Sequence, residues 1–104
     1  MFMRITWGRL KPGGWADYER AYAAAVTSQA YPGLRHRFLI QDVAQPDSGF
    51  SITVWESEGA MTAYEQDPAR QSEVERSMRH LFSGQFNTQR CRVALAESFD
   101  RDAP

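Results

Sequence analysis

The sequence predicts one α+β domain built on an antiparallel sheet, and three features of the 104-residue chain carry that prediction. Its first residues alternate apolar and polar with a period of two. From Trp15 the period lengthens to that of a helix. A turn-forming run, Gln45-Pro46-Asp47-Ser48-Gly49, then separates two further apolar segments.

The first strand spans Phe2 to Leu10, with Met3, Ile5 and Trp7 on one face and Arg4, Thr6 and Gly8 on the other. Pro12-Gly13-Gly14 ends it. In the helix that follows, Trp15, Tyr18, Tyr22 and Ala25/Val26 share one side, and Asp17, Glu19 and Arg20 take the other. Three alanines, Ala23 to Ala25, favour helix and allow it to lie close to a sheet. Pro32-Gly33 leads into a second strand, Leu34 to Val43, in which Leu34, His36, Phe38 and Ile40 alternate with Arg35, Arg37, Leu39 and Gln41. The turn at Gln45–Gly49 makes a hairpin with a third strand, Phe50 to Glu56. Ser57 is placed to cap the second helix, with Glu58 at its positive end. That helix carries Ala60, Met61 and Tyr64 inward and bends or restarts near Asp67-Pro68. It then continues through Val74, Met78, Leu81 and Phe82 to a stop at Gly84. The last strand is expected from Arg90 to Phe99, with Cys91, Val93, Leu95 and Phe99 on one face. The order strand–helix–strand–strand–helix–strand is the split βαβ, ferredoxin-like arrangement of four antiparallel strands with helices on one face. A single domain over 1–104 is expected, its core at about 2–98 and its polar tail, 99–104, frayed.

Composition narrows the function. Twelve basic residues against thirteen acidic give a net charge of −1, which argues against a dedicated nucleic-acid surface. Lys11 is the only lysine; the other bases are arginines spread along the chain, which reads as a compositional bias. One cysteine, Cys91, allows neither an intramolecular disulfide nor a cysteine-cluster metal site. With no long apolar run and no signal-peptide layout, a cytoplasmic protein with no membrane or nucleic-acid partner is expected. The length leaves no room for a nucleotide-cofactor domain beside a substrate domain.

Two helices cover only one face of a four-stranded sheet, yet several strands are apolar on both faces. Trp55 opposes Phe50, Ile52 and Val54, and Leu39 and Val43 oppose Leu34, Phe38 and Ile40. A homodimer packed through the open sheet face would bury the second apolar side.

With these elements placed, the chain resembles the antibiotic biosynthesis monooxygenase family of dimeric α+β barrels. The resembling motifs are Gly8-Arg9-Leu10-Lys11-Pro12-Gly13 at the end of the first strand and Pro32-Gly33-Leu34 before the second. To these add the block Ser51-Ile52-Thr53-Val54-Trp55-Glu56-Ser57-Glu58-Gly59-Ala60-Met61, and Asp67-Pro68-Ala69-Arg70. The resemblance covers about residues 2–98. It implies a pocket between sheet and helices in each subunit, and oxidation of an aromatic, phenolic or quinone-type molecule by O2 with no cofactor and no metal. A non-catalytic small-molecule-binding or assembly module of the same fold is the alternative. The family's haem-degrading branch has an Asn, a Trp and an axial His where this chain has Gly8, Tyr64 and Val74. Neither His36 nor His80 falls at the axial position, which argues against haem degradation.

His36, the histidine on a strand, is the candidate for proton transfer, since imidazole titrates near neutral pH; a hydrogen-bonded core or interface residue is the competing reading. Tyr64 and Tyr22 face inward from their helices and could bind or deprotonate a phenol, or simply be buried. Catalytic roles are assigned to His36 and Tyr64, and substrate contact to Trp7, Tyr22, Trp55 and Phe82. Tryptophan serves equally as a core or interface anchor, and Trp15 is expected to pin the first helix to the sheet. Arg35 and Arg37 are expected to pair with Asp42, Asp47 or Glu56, or to hold a substrate carboxylate. Gly13-Gly14 lacks the context of a phosphate-binding loop, and the histidines have no metal-ligand spacing.

Overall fold

The structure is a computed structural model that describes residues 1–26 and 29–99. Its elements are β1 (Phe2–Leu10), α1 (Trp15–Ala25), β2 (Leu34–Gln41), β3 (Ser48–Trp55), α2 (Glu58–Glu65), α3 (Pro68–Ser77) and β4 (Phe82–Arg92), with a short 3-10 turn, Arg79–Leu81, before β4. The four strands form one antiparallel sheet in the order β2-β3-β1-β4. The helices lie on one face, as the ferredoxin-like pattern requires. No helix is long and apolar enough to cross a membrane.

Local chemistry accounts for the helix boundaries. Ser57 Oγ accepts the Ala60 N–H at 3.1 Å and starts α2. Asp67 accepts the Ala69 N–H at 3.0 Å, and Pro68 stands in the first turn of α3, where its missing N–H costs nothing. The helix therefore does restart at Asp67-Pro68. Gly49 closes the β2–β3 hairpin where a Cβ would stand 2.1 Å from the Ile40 carbonyl oxygen and 2.8 Å from the Trp15 ring. Only glycine lets Trp15 lie on the hairpin, and so α1 is pinned as expected.

Two cores hold the helices down. Leu10, Tyr18, Tyr22, Ala25 and Met78 form one beneath α1 and α3, and Trp55, Met61 and Tyr64 form the other beneath α2. Trp55 is fully buried, and its indole N–H donates to Thr53 Oγ1 at 2.8 Å. An orphaned indole donor would be costly in this position; the threonine removes that cost.

The chain departs from expectation in four places. The last strand is Phe82–Arg92, not Arg90–Phe99, and Gly84 lies inside it at φ 102° rather than stopping a helix. Leu81 and Phe82 accordingly belong to the 3-10 turn and the strand, and Leu95 and Phe99 are exposed beyond it. The second strand ends at Gln41, leaving Val43 98% exposed in the connection, and the third begins at Ser48. A bulge between Leu34 and His36 makes Leu34 pair with Trp55 and His36 with Val54. One extra residue reverses the side-chain alternation, so Leu34 packs beneath α2 while His36, Phe38 and Ile40 turn to the opposite face. Beyond Phe99, the tail expected to fray lies outside the described residues.

Candidate active site

Between the two cores, the helices and the sheet enclose a cleft of about 320 Å³. Its aromatic and aliphatic wall comes from α1 (Tyr18, Tyr22), α3 (Val74), Met78 and β4 (Phe82, Phe86), with Tyr64 of α2 at one side. Tyr18 meets Phe82 edge to face, with ring centroids 5.2 Å apart, and meets Tyr22 at 6.0 Å. A planar ring fits such a wall, because every lining ring offers it a face or an edge.

The floor is the sheet, and it is polar. Arg4 and Thr6 of β1, Ser51 of β3 and Thr88 of β4 project into the cleft from three adjacent strands. Thr6 and Thr88 face each other across the β1–β4 pair with hydroxyls 2.9 Å apart. The Arg4 guanidinium donates to Glu65 Oε2 at 3.0 Å and to Thr6 Oγ1 at 3.3 Å. Glu65 is shared: its Oε1 accepts Arg90 Nε at 3.0 Å, and Arg90 also donates to Thr62 at 2.7 Å. One carboxylate thus ties α2 to two strands and fixes the cation at the cleft floor.

Tyr64 stands between two cations, with the Arg70 guanidinium carbon 4.4 Å and that of Arg4 5.9 Å from its ring centroid. The Tyr22 hydroxyl and Ser51 Oγ lie 3.1 Å apart. Burial pushes the Tyr22 phenol above its ordinary range, against a smaller lowering by the Ser51 hydrogen bond. Tyr18 is raised further, again chiefly by burial. Both phenols are therefore neutral hydrogen-bonding groups at any ordinary pH. Glu75 and Arg79, paired at 3.3 Å, stand among the lining residues with Gln71 and Arg70.

Of the residues singled out by sequence, Tyr22, Tyr64 and Phe82 meet in this cleft. Trp55 does not reach it: it lies 4.8 Å, ring to ring, from Tyr64 as part of the buried core. Trp7 and His36 are on the other side of the sheet. Trp7 pairs with Phe50 in the register and packs near the Arg9 guanidinium, and His36 is exposed and stacks on Phe38 at 6.0 Å. The strand alternation that sets Trp7 opposite Arg4 and Thr6 is the reason, together with the bulge that turns His36 away. Arg35 pairs with Glu56 at 3.0 Å, and Arg37 turns to the helix side, where it donates to the Val26 carbonyl at 3.1 Å. Arg4, Thr6, Ser51, Arg70 and Thr88 were not singled out as site residues. For the four on strands the one signal was the polar side of the alternation, which ordinarily marks the solvent face; Arg70, on α3, had only its place in the Asp67-Pro68-Ala69-Arg70 motif.

Among the described residues no group of three or more His, Cys, Asp or Glu side chains is arranged to hold a metal ion.

The family model for antibiotic biosynthesis monooxygenases matches residues 1–76. No curated protein matches the chain in sequence. Solved structures match its fold. A candidate antibiotic biosynthesis monooxygenase from Deinococcus radiodurans superposes with a TM-score of 0.77 at 15% identity, covering 96% of this chain and 99% of that one. The cofactor-independent oxygenase SnoaB from Streptomyces nogalater, as an N63A mutant, gives 0.76 at 16% identity, covering 91% and 94%. The haem degrader MhuD from Mycobacterium tuberculosis, with two haems in its active site, gives 0.77 at 21% identity, covering 94% and 100%.

Proposed function

Because the chain belongs to the antibiotic biosynthesis monooxygenase family, we propose that it is a cofactor-independent monooxygenase that oxidises a planar phenolic or quinone-type molecule with O2 in this cleft. One observation carries the reading: an aromatic wall faces a polar, cation-bearing sheet floor across a space large enough for a fused-ring phenol.

The reaction suited to that space converts a ring CH2, in equilibrium with its phenol form, and O2 into a carbonyl and water. Loss of a proton gives an electron-rich anion. That anion donates an electron to O2, the reduced oxygen couples to the ring carbon, and the protonated peroxide expels water to leave C=O. Every electron comes from the substrate. Arg4 and Arg70 favour the anion electrostatically, and Glu75, the carboxylate among the lining residues, accepts its proton. Tyr22 stays neutral through burial and donates to the developing peroxide beside Ser51. Tyr18, Phe82 and Phe86 hold the ring system and keep water from it. His36 has no part in this chemistry; it belongs to the uncovered apolar face, which a second copy of the chain covers in a cytoplasmic homodimer.

Oxygen uptake with anthrone- and hydroquinone-type substrates in metal-free buffer tests the reading. One O2 consumed per quinone formed is expected, and Tyr22→Phe lowers kcat by about a hundredfold while the fold is kept. The cleft has no histidine among its lining residues, which favours a second reading, a small-molecule-binding module. Tight binding of the same compounds with no uptake across the panel would establish that reading instead.

A further inference from the structure

The charges in the cleft do not balance. Arg4 shares the Glu65 carboxylate with Arg90, each at 3.0 Å, and Arg79 is paired with Glu75 at 3.3 Å. Glu73, on the same helix, pairs with Arg76. Arg70 has no carboxylate partner among the described residues, although it lines the cleft and the chain as a whole carries a net charge of −1. Its Nε donates to the Tyr64 carbonyl at 3.0 Å and its Nη2 reaches toward the Glu65 carbonyl at 3.4 Å. Those bonds hold the guanidinium on the face of Tyr64, 4.4 Å from the ring centroid. Nη1 is left without an acceptor among the described residues. A cation that is half-buried, fixed by two backbone carbonyls and one ring, and short of an anion is built to receive one.

We propose that Arg70 binds a carboxylate carried on the aromatic substrate, so that the cleft selects ring acids over their neutral counterparts. The fixed geometry means that little side-chain entropy is lost on binding, and stacking on Tyr64 keeps the guanidinium poorly hydrated. The aromatic wall supplies affinity for any planar ring; Arg70 supplies the choice among rings. The proposal rests on the cleft being the site for a planar aromatic molecule, and it does not depend on turnover.

Two probes of one shape test it: anthraquinone-2-carboxylate and anthraquinone-2-carboxamide, titrated calorimetrically into the full chain. A hydrogen bond between charged groups in a partly buried site corresponds to a preference of about ten- to a hundredfold for the acid, weakening as salt rises. Arg70→Gln should bring the acid down to the affinity of the amide and leave the amide unchanged, and Arg70→Lys should keep part of the preference. The unchanged amide affinity shows that the variant's cleft is intact. Arg79→Gln, which removes an exposed cation already paired with Glu75, should keep the preference. Equal affinity for acid and amide, binding of neither, or a preference lost in Arg79→Gln but kept in Arg70→Gln would overturn the proposal. An Arg70-dependent preference without oxygen uptake would leave it standing and remove the oxygenase reading; oxygen uptake with no preference would do the reverse.

Discussion

The two faces of the sheet reverse the usual arrangement. An antiparallel sheet with helices on one side ordinarily turns its apolar residues toward them and its polar residues toward water. Here the helices cover Arg4, Thr6, Ser51 and Thr88, while Met3, Ile5, Trp7, Phe38, Ile40, Phe50 and Ile52 lie on the uncovered face. The covered face is thus not a continuous core. It is anchored at two apolar clusters and left open between them, where polar groups can meet a ligand out of bulk water. The uncovered face is the more apolar of the two, and Phe38 and Ile40 remain 47% and 41% exposed on it. A face of that kind is the mark of an interface.

The largest effect expected on the covered face follows from Trp55→Ala. Removing a fully buried indole beneath α2 should cost about 3–5 kcal/mol, read by urea denaturation, because the surrounding side chains cannot refill its volume. On the uncovered face, Ile52→Glu places a charge at the centre of the proposed dimer contact, flanked in the register by Ile5 and Phe38. Light scattering should show association weakened at least about a hundredfold with the circular dichroism of the fold retained. An unchanged dimer mass would show that a second copy does not cover this face.

Glu65→Gln tests whether the polar floor is held from beneath. Arg4 and Arg90 would lose their shared anion, at a cost of about 1–2 kcal/mol after allowing for the partial exposure of Arg90. A change under a few tenths would mean that the floor is set by the strands alone. The smallest effect is alkaline. Tyr18 and Tyr22 are raised above 10.0 by burial, so the unfolded chain ionises these phenols at a pH where the folded chain keeps them neutral. Their contribution to stability is whole below about pH 10 and is lost progressively above it. Stability curves measured across that range should fall more steeply for the parent than for Tyr22→Phe.

Much of this architecture is legible along the chain. The alternation of β1, the helical stripe of Tyr18 and Tyr22, the cap at Ser57 and the restart at Asp67-Pro68 are all local, and each element formed where local chemistry puts it. The start of β4 was hidden because Phe82 and Phe86 are four residues apart, a spacing that suits a helical face and a strand face alike. The β2 bulge was hidden because a register shift leaves no mark on a single strand.

The candidate site divides along the same line. Tyr22 and Tyr64 were readable as inward aromatics, since burial of a helical stripe is a local consequence of its period; Phe82, expected on such a stripe, reaches the cleft from β4 instead. Alternation also separated Arg4 and Thr6 from Met3, Ile5 and Trp7, and the family resemblance pointed to a pocket between sheet and helices. What alternation cannot say is which side the helices take. A strand's two faces are equivalent until something packs on one of them, and that choice is made by residues far apart in sequence: Trp15 on Gly49, Trp55 beneath Met61, and Glu65 reaching Arg4 and Arg90. The sequence by itself determined the order of the elements, the place of most of them and the family. Only tertiary packing decided that the polar face would become the cleft and that Trp7 and His36 would stand outside it.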